Sequence, residues 1–382
     1  LVALKPKSSL LRERVAFNMD GNKAQMGGNL YAESSEIEFL LDSSDPPIGI
    51  AANLKNGVAT DFGGGIACIG SVMQLRHAAL NSNVAGLDGG AVYGILCIAS
   101  IHISDVKQNK ATRMGAGLFF SSLSTLLLTD SVLEKNKAGE NGGAAGLDSC
   151  RKVHVFQSRF SHNVAAEGAG LNFDRVLQSP IIEASEVYEN KALQGGGGGI
   201  FWRKMMPTNA GHVVLERNEA LYGSNIASTA VALISSVLYT EVVDCTNVEP
   251  FRPEISLTII DYYNNIVKRE NKATTIVATA TSGTCMYLPG KKCKKTSQNL
   301  FGKTVQEISG LLGTVNFTAL GIRGWPGTHS INFNAVGIPT LIRQVRVADC
   351  EQGHFLEEEA GCLQCPSGWH KNETGIHSCT LC

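Results

Sequence analysis

The chain of 382 residues carries 33 Lys+Arg against 34 Asp+Glu, a formal net charge of -1, so it exerts no long-range pull on nucleic acid or acidic lipid, and its Lys-rich stretch Lys291 to Lys295 is local. Its longest strongly apolar runs, such as Ala230 to Ile234, fall far short of the roughly 20 residues a membrane-spanning helix needs. Nucleic acid is therefore not an expected partner, and any membrane anchor is expected outside these residues; the sequence starts at Leu1 without a basic-apolar-cleavage pattern and reads as a fragment of a larger protein.

The predicted elements begin with a repeat over residues 1–248. Asn22, Asn56, Asn83, Asn109, Asn136, Asn163, Asn190 and Asn218 are spaced by 34, 27, 26, 27, 27, 27 and 28 residues. Alanine follows two places later in every copy but that of Asn56, where it slips to Ala59, and a glycine cluster then leads into an aliphatic residue. A hydrophobic residue stands three places before most anchors: Leu80, Val106, Leu133, Phe160, Val187 and Leu215. A fixed period of this length indicates a solenoid. About 27 residues are too few for a propeller blade, and short runs such as Leu126 to Leu133 and Val153 to Phe156 read as brief strands between sharp corners. A parallel β-helix of about eight coils follows, each coil bonded to its neighbours at about 4.8 Å. In it the asparagines stack at a left-handed corner and the glycines serve the next one.

Phe160-Ser161-His162-Asn163, with Gly89-Gly90-Ala91-Val92, resembles the polymorphic outer-membrane protein repeat, whose hallmark is Phe-x-x-Asn followed by Gly-Gly-Ala-Ile. Most other copies depart from it, with Leu or Val for Phe and Gly-Ala-Gly for Gly-Gly-Ala. The resemblance implies a right-handed single-stranded parallel β-helix and an association with surface display and adhesion.

From residue 249 to 348 the pattern changes to alternating strands with polar turns, Ile255 to Asp261, Gly313 to Thr318 and Pro326 to Phe333 among them, which predicts a β-sandwich. Asp261-x-x-Asn264-Asn265 and Pro326-Gly327-x-x-x-Ile331-x-Phe333 resemble the immunoglobulin-like modules of cell-surface adhesins. Residues 349–382 place Cys350, Cys362, Cys365, Cys379 and Cys382 in the spacing Cys-x11-Cys-x2-Cys-x13-Cys-x2-Cys. So short and polar a segment needs covalent staples. The pairs Cys362-x2-Cys365 and Cys379-x2-Cys382 also have zinc-ribbon spacing; a fifth cysteine and the preceding surface-type modules favour disulfides. With Cys365-Pro366-Ser367-Gly368-Trp369 the segment resembles the cysteine-rich repeat of ephrin-receptor-like and tumour-necrosis-factor-receptor-like ectodomains. Cys285 and Cys293 are placed to close a hairpin, Cys68 and Cys97 to bridge two rungs, and Cys150 to sit as a buried thiol. Asn316 and Asn372 open glycosylation sequons.

No catalytic constellation stands out, and no cofactor or metal is expected. Asp88, Glu140 and Glu167 precede their glycine clusters and are weak candidates for a cation- or sugar-binding column, with a solvated corner as the plainer role. Phe201 and Trp202, expected to be exposed after the run Gly195 to Gly199, are candidates for a sugar-stacking platform, with packing as the commoner role. That glycine run lacks the Lys-Ser/Thr of a phosphate cradle, and His102, His154 and His162 lack metal-ligand spacing. Two functions remain: a non-catalytic extracellular or cell-surface scaffold for glycans or surface proteins, and a polysaccharide-modifying lyase, hydrolase or epimerase. Three or more charged side chains lining a groove on adjacent coils would favour the enzyme.

Overall fold

The structure, a computed structural model, describes residues 2–3, 17–39, 51–236, 241–243, 250–252, 254–269, 273–282, 299–323, 326–357, 361–375 and 377–382. The described residues form strands and turns, with no helix. The chain divides into two compact units, Leu1–Thr229 and Ala230–Cys382.

In the first unit each turn of a parallel β-solenoid contributes one short strand to each of four walls. The turn that starts at Asn109 supplies Lys110–Ala111 to the first wall, Leu118–Ser121 to the second, Thr125–Thr129 to the third and Val132–Glu134 to the fourth. The walls are sheets of seven, nine, seven and eight strands, about seven turns in all. Register runs from each turn to the next, as in Val84↔Lys110↔Lys137. Inward positions are apolar and fully buried: Leu118, Phe120, Leu128 and Leu133 are each 0% exposed. Alternate positions face out.

The corners are tightened by residues in the left-handed region. At the corner entering the first wall these are not the asparagines but their predecessors: Ser82, Gln108, Lys135, His162, Glu189 and Arg217 have φ between 53° and 58°. Non-glycine residues reach this region at a cost, which the next residue offsets. Each following asparagine turns inward and is buried, from Asn83 at 0% to Asn218 at 7%. Its Oδ1 accepts both the backbone N–H and the side-chain Nδ2–H of the asparagine one turn back, as Asn136 does from Asn109 at 3.0 and 2.9 Å. Its Nδ2 also donates to the carbonyl three residues before the preceding anchor, Asn136 to Val106 at 2.9 Å and Asn163 to Leu133 at 2.9 Å. The hydrophobic residue of the sequence pattern thus fills the core with its side chain and receives the amide with its carbonyl.

Asn56 departs from the expected column. It is exposed, occupies the left-handed position itself (φ 52°) and bonds Asp20 Oδ1 at 2.8 Å. The column position in that turn is Gly57, in register one place before Val58↔Val84. The empty space above Gly57 is filled from the glycine corner by Asn29, whose Nδ2 lies 2.5 Å from where a Cβ on Gly57 would stand. Asn29 accepts from Asn22 at 3.0 Å and donates to Asn83 at 3.1 Å, keeping the chain of amides continuous. At the other end Asn225, again from the glycine corner, accepts from Asn218 at 3.0 Å.

A second column escaped the sequence reading. Ser104, Ser131 and Ser158 are each bonded at the backbone N–H by the hydroxyl of the serine one turn on, at 3.1, 3.2 and 3.0 Å, ending with Ser185. Cys68 and Cys97 are joined across two turns, and Cys150 is a buried free thiol whose pKa burial pushes up to about 12.

In the second unit the strands form small, mainly antiparallel sheets. Ala230–Ser235, Ile255–Asp261 and Thr314–Phe317 make one; Glu241–Val243, Ile338–Val347, Gly327–Ala335, Thr274–Ser282 and Val305–Ile308 make another. Phe317 and Phe333 join the two, ring centroids 5.1 Å apart. The buried carboxylate of Asp261 accepts the backbone N–H groups of Tyr263 and Asn265 and so closes the turn that places Asn264 at φ 61°. Cys350 pairs with Cys362 and Cys365 with Cys379, so the thiolates a zinc ribbon needs are taken up; Cys382 is free and exposed. Cys285 and Cys293 lie outside the described residues.

Candidate functional site

A linked set of charged side chains lies on the outer side of the second wall. Strand register stacks Ser121, Asp148, Asp174 and Arg203 in one line over four successive turns. The next residue in each turn, Ser122, Ser149, Arg175 and Lys204, is left-handed (φ 53°, 52°, 52° and 75°) and splays outward beside that line. Arg175 therefore reaches back one turn and grips Asp148 with Nη2 at 2.9 and 3.0 Å and Nε at 3.2 Å. It also lies 3.6 Å from Asp174. Arg203 bonds Glu167 at 2.8 Å and approaches Asp174 at 3.5 Å, with its guanidinium 5.3 Å from the Phe201 ring centroid. The result is an alternating chain, Asp148, Arg175, Asp174, Arg203, Glu167, across three turns. The Arg175 guanidinium is held above its ordinary pKa, chiefly by the charge of Asp148.

Beside this chain, Asn172 is 4% exposed, and its Nδ2 and the Nε of Arg203 are buried with no hydrogen-bond partner. The row is an ion-pair lattice in which each carboxylate faces a guanidinium.

The sequence candidates fall elsewhere. Asp88 and Glu167 share one register position, since Gly63 N–H bonds Asp88 O and Gly142 N–H bonds Glu167 O, but Met114 and Asn141 occupy the turns between. Glu140 is exposed and one residue out of line. The three carboxylates make no column: buried Asp88 is clasped by Arg113, whose guanidinium that bond pushes above its ordinary pKa, and Glu167 is paired as above. Phe201 and Trp202 are not a platform, being 0% and 7% exposed. The glycine corner folds down over the outer side of the second wall: a Cβ on Gly197 would stand 2.8 Å from the Phe201 Cβ. Under the same corner Phe62, Tyr93 and Phe119 stack along the axis at 4.5 and 5.6 Å. Asn316 and Asn372 are both exposed.

Sequence reasoning missed Asp148, Asp174, Arg175 and Arg203 because the glycine corner varies in length. Counted from Asn136, Asn163 and Asn190, the aligned residues Asp148, Asp174 and Arg203 stand 12, 11 and 13 places on. Counting forward from each glycine corner would have aligned them.

Two shallow depressions lie at other corners. One of about 280 Å³ is lined by Asn81, Lys107, Gln108, Glu134 and Lys135; one of about 410 Å³ includes Asp130, Gln157, Arg159 and Glu186. Among the described residues no group of His, Cys, Asp and Glu is arranged to hold a metal ion, and no helix is long and apolar enough to cross a membrane. The chain matches no family model, no curated protein and no solved structure.

Proposed function

We propose that the chain is a non-catalytic extracellular or cell-surface scaffold whose solenoid presents its outer walls to glycans or surface proteins. The observation that carries this reading is the ionic row of the second wall, where Asp148, Asp174 and Glu167 are each tied to an arginine. The amide and serine columns add support: they spend the buried polar groups on holding turn to turn, which suits a rigid support. Three disulfides suggest an oxidising environment, as expected outside the cell. Within this reading Ala230–Ser235 and the strands from Ile255 to Val347 serve as an immunoglobulin-like module, and the cysteine segment as an ephrin-receptor-like one.

A second reading has in its favour the feature expected of the enzyme, more than three charged side chains on adjacent turns of one wall. Asp148 and Asp174 are register neighbours on adjacent turns beside Arg203, the type of charged line on which a polysaccharide lyase or hydrolase would depend. A glycan-array and a polysaccharide-depolymerisation screen on the same purified chain separate the two. Binding without turnover is expected. Release of reducing or unsaturated ends, abolished in Asp148→Asn or Asp174→Asn, overturns the scaffold reading.

A further inference from the structure

Most cations on the solenoid surface have an acid within reach. Lys55 meets Asp20 at 3.3 Å, Lys107 meets Asp105 at 3.0 Å, Lys135 meets Glu134 at 2.9 Å and Lys191 meets Glu219 at 2.6 Å. Lys23, Arg76, Lys110, Lys137, Arg151, Lys152 and Lys204 form no such pair among the described residues, and of these Lys110 and Lys137 are direct register partners, exposed on adjacent strands of the first wall, with no side-chain hydrogen bond to either ammonium. Neighbouring strands lie about 4.8 Å apart, and like charges placed opposite each other on a sheet are destabilising. The fold holds this pair without compensation.

The surroundings reinforce it. Around the corner, on the fourth wall, lie Lys107 and Lys135, so residues 105–110 and 132–137 carry four lysines against Asp105 and Glu134. Glu134 is held below the usual carboxylate range, first by its bond to Lys135 and then by the charges of Lys135, Lys107 and His162. Next to Lys110 and Lys137 lies the depression of about 280 Å³ lined by Lys107, Lys135, Glu134 and the amides of Asn81 and Gln108, the Oδ1 of Asn81 being buried with no hydrogen-bond partner.

We infer that Lys110 and Lys137, with the adjoining depression at the corner of the fourth and first walls, bind an acidic polysaccharide. This assignment rests on the scaffold reading and names its ligand class. Two unmatched ammonium groups one strand apart offer counter-charges to sulfates or carboxylates on a chain running along the solenoid axis, and the amides suit sugar hydroxyls. A single-stranded nucleic acid would call for aromatic stacking, and none of residues 81–84, 107–110 or 134–137 is aromatic. In the following turns the signs alternate, Arg159 pairing with Glu186 and Arg217 with Glu189 and Glu216, which leaves no broad basic surface for a duplex or an anionic membrane.

The test uses the whole chain with heparin, polygalacturonate, neutral dextran and a thymidine oligonucleotide, titrated at several salt concentrations. Heparin and polygalacturonate are expected to bind with affinity that falls as salt rises, and dextran is expected not to bind. Lys110→Gln with Lys137→Gln should weaken polyanion binding about tenfold or more, with melting no lower than the parent's, since the substitution also removes the like-charge contact. Lys152→Gln, an exposed lysine on the third wall, should bind as the parent does. Polyanion binding that is absent, or untouched by the double substitution, overturns the inference, as does oligonucleotide binding equal to that of the glycans. Release of new polygalacturonate ends, scored in the same samples, would instead count against the scaffold reading, so the two failures are read separately.

Discussion

Replacing Asn136 by alanine removes the centre of the amide column. The side chain is 0% exposed and makes four hydrogen bonds, accepting from Asn109 N and Nδ2 at 3.0 and 2.9 Å and donating to Val106 O and Asn163 Oδ1 at 2.9 and 3.0 Å. Two partners keep a second bond: Asn109 Nδ2 still donates to Leu80 O, and Asn163 Oδ1 still accepts from Asn136 N. The backbone N–H of Asn109 loses its acceptor inside the protein, which costs about 1–3 kcal/mol, and each of the other lost bonds costs about 0.5–1.5 kcal/mol. A loss of about 2.5–7.5 kcal/mol follows, a large share of an ordinary domain stability. Because solenoids unfold turn by turn, the proper assay is native-state hydrogen exchange. Protection of the Asn109 amide and of the turns on either side should fall together, while that of Ala230–Cys382 stays as it was. Asn56→Gly is the control, since Asn56 is exposed and left-handed, and it should change stability by no more than about 0.5 kcal/mol. If Asn136→Ala proves as mild as Asn56→Gly, the column is not what holds the turns together.

Two further outcomes are expected. Arg203→Met should cost about 1–2 kcal/mol in denaturant unfolding, because it leaves Glu167, whose side chain is 10% exposed, without its guanidinium. Arg175→Met should cost less than about 1 kcal/mol, because that arginine is 61% exposed and its pairs are surface pairs; equal costs would refute the distinction. Burial, aided by the charge of Asp88, pushes the Tyr93 hydroxyl up to about 12. With the unfolded value near 10, the folded state holds this proton more tightly, so the contribution to stability is intact below about pH 10 and is lost as pH rises toward 12. Spectrophotometric titration of the parent against Tyr93→Phe should therefore show one phenol fewer ionising near pH 12, and a difference centred near pH 10 would contradict the packing of this ring under the glycine corner.

The solenoid was legible because its buried asparagines recur with the turn length, and a residue that must hydrogen-bond to its own copy one turn away cannot drift. Where the pattern misled, a side chain was missing or borrowed. Gly57 has none to read, so Asn56, one place earlier, took its role in the spacing, and the substitutes Asn29 and Asn225 sit in a different part of the repeat. The serines of the second column share the 27-residue period, yet serine is common and its neighbours give no cue. Phe201 and Trp202 read as exposed because a glycine run suggests an open loop, whereas the glycine backbone lies over Phe201, and Trp202, in register with Phe173, faces the core. The charged row is a property of alignment between turns, and corners of unequal length conceal it from any count made along the chain.

The hooks that join one turn to the next are the same throughout the middle of the solenoid: Asn109, Asn136 and Asn163 each receive and pass on an identical set of bonds. A segment cut from just after one asparagine to just after the next therefore begins and ends on matching couplings, and its removal or duplication leaves no mismatched join. Length in this part of the molecule is expected to change by whole modules, because one residue inserted inside a wall strand turns the inward side chains that follow it in that strand to the outside.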